Sequence, residues 1–241
     1  MSIKDITPDQ VVFWEWGFAH VNLTLLWTWG VMLLMVIGSW LVTRNLSTDV
    51  KISRWQNLLE ILVMGIRNQI RDMSHQDPDR YMAFIGTLFL FLLTANLLTL
   101  FPVYVAPTAS LSTTAALAVC VFVAVPVYGI KSQGLTSYLK QYVQPTMIML
   151  PFNIMGELSR TLALAVRLFG NIMSTDKIIA IFLALAPLFF PILMRALGLL
   201  TGVIQAYIFA VLAMVYIASA TRAHVQEAEE QKPESKEKGQ A

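Results

Sequence analysis

The chain has 241 residues, of which 56% are hydrophobic and only 13% charged, with a formal net charge of +2. Soluble domains average about 25% charged residues, so this chain has too few to solvate a globular surface of its size. The balance points to an integral membrane protein, and so small a net charge gives no reason to expect a nucleic-acid partner.

Residues 1–20 carry Lys4, Asp5, Asp9 and Glu15. No basic region leads into a short apolar core, so the N-terminus reads as retained rather than as a cleaved signal. The first span is expected from about Leu23 to Val42, with Trp27, Trp29 and Trp40 near its ends as interfacial anchors. A different segment follows. Trp55, Leu58, Leu59, Leu62, Ile66, Ile70 and Met73 recur at three- and four-residue steps, while Arg54, Gln56, Glu60, Arg67, Asn68 and Arg71 fill the other face. That is an amphipathic helix, either lying flat at the membrane surface or packing on a partner.

The second span is expected at about Ala83–Val103 and the third at Thr113–Ile130, which holds the lone Cys120. One cysteine forms no internal disulfide and no metal cluster, and here it reads as a small buried hydrophobe. The fourth span starts near Pro151 and ends before Pro187, and the fifth runs from Pro191 to Ala220. Residues 224–241 are rich in Glu, Lys and Gln and are expected to be a disordered tail. The fold class is therefore all-α: five transmembrane helices and one interfacial amphipathic helix in a single membrane domain, residues 1–223. No metal or cofactor site is expected.

Basic residues orient the chain. Arg44, Lys51, Arg54, Arg67, Arg71 and Arg80 fall between spans one and two, Lys131 and Lys140 after span three, and Arg222, Lys232, Lys236 and Lys238 in the tail. The stretch between spans two and three has no charge. Basic loops stay cytoplasmic, so five spans place the N-terminus outside and the C-terminus inside.

Spans four and five each offer about 30 residues, against about 20 for a perpendicular crossing. Two arrangements accommodate this: a long, strongly tilted hairpin leaning on a partner, or two ordinary spans with helical extensions. The extensions remain apolar, which favours the hairpin. Gly198 and Gly202 form a small-xxx-small pair on span five, and Gly170 sits near Arg167.

Span four carries charges that lipid does not tolerate: Glu157, Arg160, Arg167, Asp176 and Lys177. Arg167 is the deepest, and an arginine at mid-membrane costs about 2.5–3.5 kcal/mol on insertion scales. Its default reading is functional, completed by a carboxylate or a wet cavity. Asp176 and Glu157 lie too far along the helix for direct pairing, so the counter-ion is expected on a partner. Arg160, Leu164, Arg167 and Asn171 share a helical face. Asn171 and the span-five Gln205 are expected to support Arg167, while Glu157 and Arg160 are spaced to pair. Arg195, near the start of span five, reads as an interfacial anchor.

The run Ser159-Arg160-Thr161-Leu162-Ala163-Leu164-Ala165-Val166-Arg167-Leu168-Phe169-Gly170-Asn171 resembles subunit a of the rotary F-type ATP synthases. So do Trp55-Gln56-Asn57-Leu58-Leu59-Glu60, Pro151-Phe152-Asn153 and Gln205-Ala206-Tyr207-Ile208-Phe209, and the likeness covers nearly the whole chain. Thr161–Val166, Pro8-Asp9-Gln10 and Phe13 are similar to the alternate, N-type bacterial branch. The resemblance implies a stator beside a c-subunit ring, with b-subunits of the peripheral stalk as further partners. Arg167 would be the essential stator arginine, Asn171 and Gln205 its polar neighbours, Asp176 an outer half-channel residue and Arg160 a cytoplasmic-side base. Two departures stand out: Gly198 replaces a last-helix histidine, and Asn153 replaces a glutamate, leaving Glu157 to take that part. The transported ion would be a proton, or alternatively sodium. The chain has no Gly-rich phosphate loop, so ATP chemistry would lie in other subunits. Apart from the resemblance, an ion-coupled secondary transporter also remains open. It would call for internal repeats, which the sequence does not display.

Overall fold

The computed structural model describes residues 12–16, 19–44, 54–74, 77–101, 104–136, 138, 149–185 and 190–237. Residues 1–11, Lys51, Lys140 and Pro187 lie outside the described residues.

The first element was not anticipated. Val12–Trp16 (β1) and Ala19–Asn22 (β2) form an antiparallel pair, with an irregularity between Val12 and Trp14. Valine and aromatic residues favour the extended backbone over a short length. The rest of the described chain is helical. Helix α1, Leu23–Thr43, follows β2 directly and buries only Thr24 and Val31, so it lies at the edge of the bundle. At its end the Arg44 guanidinium sits 5.1 Å over the Trp40 ring.

Helix α2, Arg54–Ser74, is the amphipathic segment. Its apolar stripe turns Ile70 into the bundle against α3 and the last helix. An exposed ion pair of 2.9 Å joins Arg67 to Asp79 at the start of α3. Helix α3, Asp79–Leu97, continues as a 3-10 turn over Leu98–Leu100. The span therefore ends before the expected Val103. Phe101 is already extended (φ −81°, ψ 125°), as the residue before a proline prefers. A second 3-10 turn, Pro107–Ala109, leads into α4, Leu111–Gln133. The chain leaves α4 through Gly134, whose φ of 82° suits a residue without Cβ.

The two long helices are α5, Met149–Leu185, and α6, Phe190–Glu237. They pack antiparallel: Thr175 meets Gly198 near one end, and Arg160 lies over Tyr216 toward the other. Ala206, Phe209, Ala213 and Ile217, one stripe of α6, are completely buried. They share one core with Leu92 of α3, Val121 of α4, and Leu164 and Leu168 of α5. The α6 backbone remains helical to Glu237, into the polar segment for which composition suggests no fixed structure.

Among the described residues, four stretches are long and apolar enough to cross a membrane: Leu23–Thr43, Asp79–Leu100, Leu111–Gln133 and Phe190–Thr221. Helix α5, at 37 residues, has the length but is not among them.

Candidate functional site

The site is organised by the faces of α5. Leu164, Leu168 and Ile172 recur at four-residue steps and turn into the protein. Arg167 and Val166 fall on the other side and are exposed, as is Leu162 one turn earlier. Leu197, Leu200 and Ile204 of α6 are exposed as well. Arg167 is thus a charge standing on an apolar outward surface, with no hydrogen bond or ion pair to any described residue. A Cβ added at Gly170 would meet nothing within 4 Å, so the helix beside Arg167 offers bare backbone.

A polar cavity opens on either side of Arg167 along α5. One, of about 260 Å³, lies between α3, α5 and α6; Asn171, Thr175 and Asp176 line it together with Asn96, Tyr104 and Arg195. The other, of about 450 Å³, is lined by Asn153, Gly156, Glu157 and Arg160 of α5, by Tyr138, and by Ser219 and Ala220 of α6. Measured along the helix axis, Arg167 is roughly 6 Å from Asn171 and roughly 10 Å from Arg160. It lines neither cavity.

Local packing shapes the two cavities. At the Asp176 cavity the chain runs closely together. A Cβ on Gly198 would collide with the Thr175 methyl group, and one on Gly202 would come within 3.1 Å of Asn96 Cγ. The small-xxx-small pair thus admits a side chain from α5 and one from α3. Asn96 Nδ2 donates 2.8 Å to the Gly202 carbonyl, and Arg195 Nη1 donates 3.1 Å to the Thr99 carbonyl. Several buried polar atoms have no partner among the described residues: Asn96 Oδ1, the Tyr104 hydroxyl, Thr108 Oγ1 and Gln205 Nε2. Buried polar atoms without partners are rare in native proteins. Burial in the α3–α4 connection raises the Tyr104 phenol well above its ordinary range, so it stays neutral. At the Glu157 cavity, the Arg160 guanidinium sits 5.6 Å over the Tyr216 ring, and Tyr138 packs under Gly129, where a Cβ would lie 2.5 Å from its ring.

The family profile of the ATP synthase A chain matches residues 25–218. The chain belongs to the ATP synthase A chain family. It is 61% identical over 215 residues to "ATP synthase subunit a 1" of Crocosphaera subtropica, covering 89% of this chain and 94% of that one. To "ATP synthase subunit a" of Albidiferax ferrireducens it is 62% identical over 217 residues, with 90% and 94% covered. A relative in Chlorobaculum parvum, "ATP synthase subunit a 1", is 61% identical over 217 residues, with 90% and 96% covered.

The six sequence-predicted residues separate into groups. Asn171 and Asp176 line one cavity, Glu157 and Arg160 the other, and Arg167 stands between them on the outer surface. Gln205 corrects an expectation. It is buried on α6, yet its Nε2 donates to no described group and it does not bond Arg167. Arg167 is exposed on α5, whereas Leu164 and Leu168 beside it are buried in the core. Asn171 likewise makes no side-chain bond to Arg167 among the described residues. Sequence reasoning passed over Asn96 and Tyr104, and gave Arg195 only an anchoring role. The signal for Asn96 was present, since an amide in an apolar span demands a reason. Among the described residues no three His, Cys, Asp or Glu side chains gather as a metal site.

Proposed function

We propose that this chain is the stator subunit of a rotary ATP synthase, and that its two cavities are the half-channels that carry the coupling ion to and from a ring of c-subunits. The observation that carries this reading is Arg167: an exposed cation on an apolar surface, between two polar cavities at different levels along α5. A fixed positive charge there favours the ionised form of a carboxylate on a passing ring subunit. The carboxylate gives up its ion to one cavity and reloads from the other. Arg167 also stops ions from running directly between the cavities.

Five crossings support this geometry, with α5 as the fifth span and its charges facing water or the ring rather than lipid. Helix α5 is roughly 55 Å long, well beyond the ~30 Å hydrocarbon core, which favours a strongly tilted α5–α6 hairpin following the curve of the ring. The basic loops favour a cytoplasmic C-terminus, with the Glu157 cavity inward and the Asp176 cavity outward in a bacterial plasma membrane. The membrane potential, about 2.3 kcal/mol per charge per 100 mV, then acts across the step between the cavities. Peripheral-stalk b-subunits complete the stator.

The experiment is ATP-driven pumping in membranes that contain the assembled Arg167→Ala complex. The expected result is a complex that assembles and does not pump; retained pumping overturns the reading. Protons are the proposed coupling ion. Pumping that needs sodium and survives a proton uncoupler would replace the proton with sodium.

A further inference from the structure

We infer that Arg195 is a positioning residue of the transport path: its fixed charge balances Asp176 across their shared cavity and keeps the transported cation from lodging there. The inference rests on the half-channel reading above.

The geometry begins with a tether. Arg195 lies on the second turn of α6, half-buried, and its Nη1 donates to the Thr99 carbonyl at the end of α3. That bond holds the guanidinium at the wall of the cavity into which Asp176 of α5 also faces. No ion pair joins the two among the described residues, so they face each other across the space rather than in contact. Gly198, one turn after Arg195 on the same wall, adds no side chain between them.

The remaining lining explains why a second charge matters. Helix α3 contributes Asn96 and Thr99, both uncharged, and the α3–α4 connection contributes the neutral Tyr104. Lys177, the next residue on α5, is exposed and does not line the cavity. Among the described residues, Arg195 is therefore the one cation lining it. Without Arg195 the cavity would hold a carboxylate beside the unpartnered Asn96 carboxamide oxygen and Tyr104 hydroxyl. Such oxygen donors around a net negative charge are what a hard cation binds. Binding on a conduction path must be weak enough to let the ion leave. An arginine suits the task because it stays protonated and cannot itself relay a proton.

The test uses assembled complexes in vesicles whose lumen faces the Asp176 cavity. The initial rate of ATP-driven pumping is measured against lumenal proton and sodium concentration. Arg195→Gln keeps an N–H for Thr99 and removes the charge, whereas Arg195→Lys keeps the charge. In the Gln variant the lumenal concentration of coupling cation that halves pumping should fall about tenfold, the scale of one unit charge across a partly hydrated gap. The Lys variant should follow the unsubstituted complex. A Gln variant with an unchanged dose curve would reduce Arg195 to a tether, and a Lys variant shifted as far as Gln would make geometry the cause; either overturns the inference. If the Gln variant does not assemble, Asp176→Asn decides: it leaves the cation unopposed and should raise the same concentration, and an unchanged curve refutes the role. Arg167→Ala, measured in parallel, separates the two claims. Pumping retained there sinks the half-channel reading, whereas a flat response in the Gln variant alone removes only Arg195.

Discussion

Asn96 on α3 and Gly202 on α6, 106 positions apart in the chain, are joined by a 2.8 Å hydrogen bond from the side-chain amide to the backbone carbonyl. The bond forms because residue 202 has no side chain. A Cβ there would lie 3.1 Å from Asn96 Cγ and 3.3 Å from Oδ1. Gly202→Val should force α3 and α6 apart and cost about 1–3 kcal/mol. Thermal dissociation of the purified complex, followed by loss of this subunit, should occur several degrees lower.

Gly198 and Thr175 make a second close approach, between α5 and α6. Gly198→Ala alone should destabilise the hairpin. Removing the obstructing methyl with Thr175→Ser should recover much of the loss, since residues in direct contact couple by about 0.5–3 kcal/mol. Simple additivity of the two substitutions in the same dissociation assay would show that the contact is unimportant.

Gln205 is buried with an amide nitrogen that has no partner among the described residues. Replacing an unpartnered polar group with an apolar one of similar shape is close to neutral or stabilising. Gln205→Leu should therefore leave the complex at least as heat-resistant as before. If the amide serves transport through water or the ring, pumping should nevertheless fall by about tenfold or more. Parallel measurement of stability and pumping checks this, and a variant that pumps normally would leave Gln205 with no transport role.

Arg160 over the Tyr216 ring ties α5 to α6 beside the Glu157 cavity. Tyr216→Phe keeps an aromatic face and should be nearly silent. Tyr216→Leu removes it and should cost about 0.5–2 kcal/mol, as cation–π contacts do. The difference between the two variants in thermal dissociation is the measurement.

The sequence by itself determined where the helices run and which residue is out of place. Apolar length marked α1, α3, α4 and α6, a three- and four-residue period marked α2, and the cost of a charge in lipid singled out Arg167. These signals are local: each depends on residues a few turns apart on one element. Helix ends were less legible. The α3 end moved from Val103 to Leu100 because the residue before Pro102 is extended, and the β1–β2 pair gave too short a pattern to read. Only the tertiary structure decided which polar residues meet. It placed Asn171 and Asp176 of α5 with Asn96 of α3, Tyr104 of the α3–α4 connection and Arg195 of α6, where Gly198 and Gly202 allow the helices a close approach. It also left Arg167 exposed on α5 and Gln205 buried on α6 with no hydrogen bond between them. Spacing along a helix fixes a residue's own face. What stands opposite that face depends on how the helices pack, and that is set by side-chain shape between segments far apart in the chain.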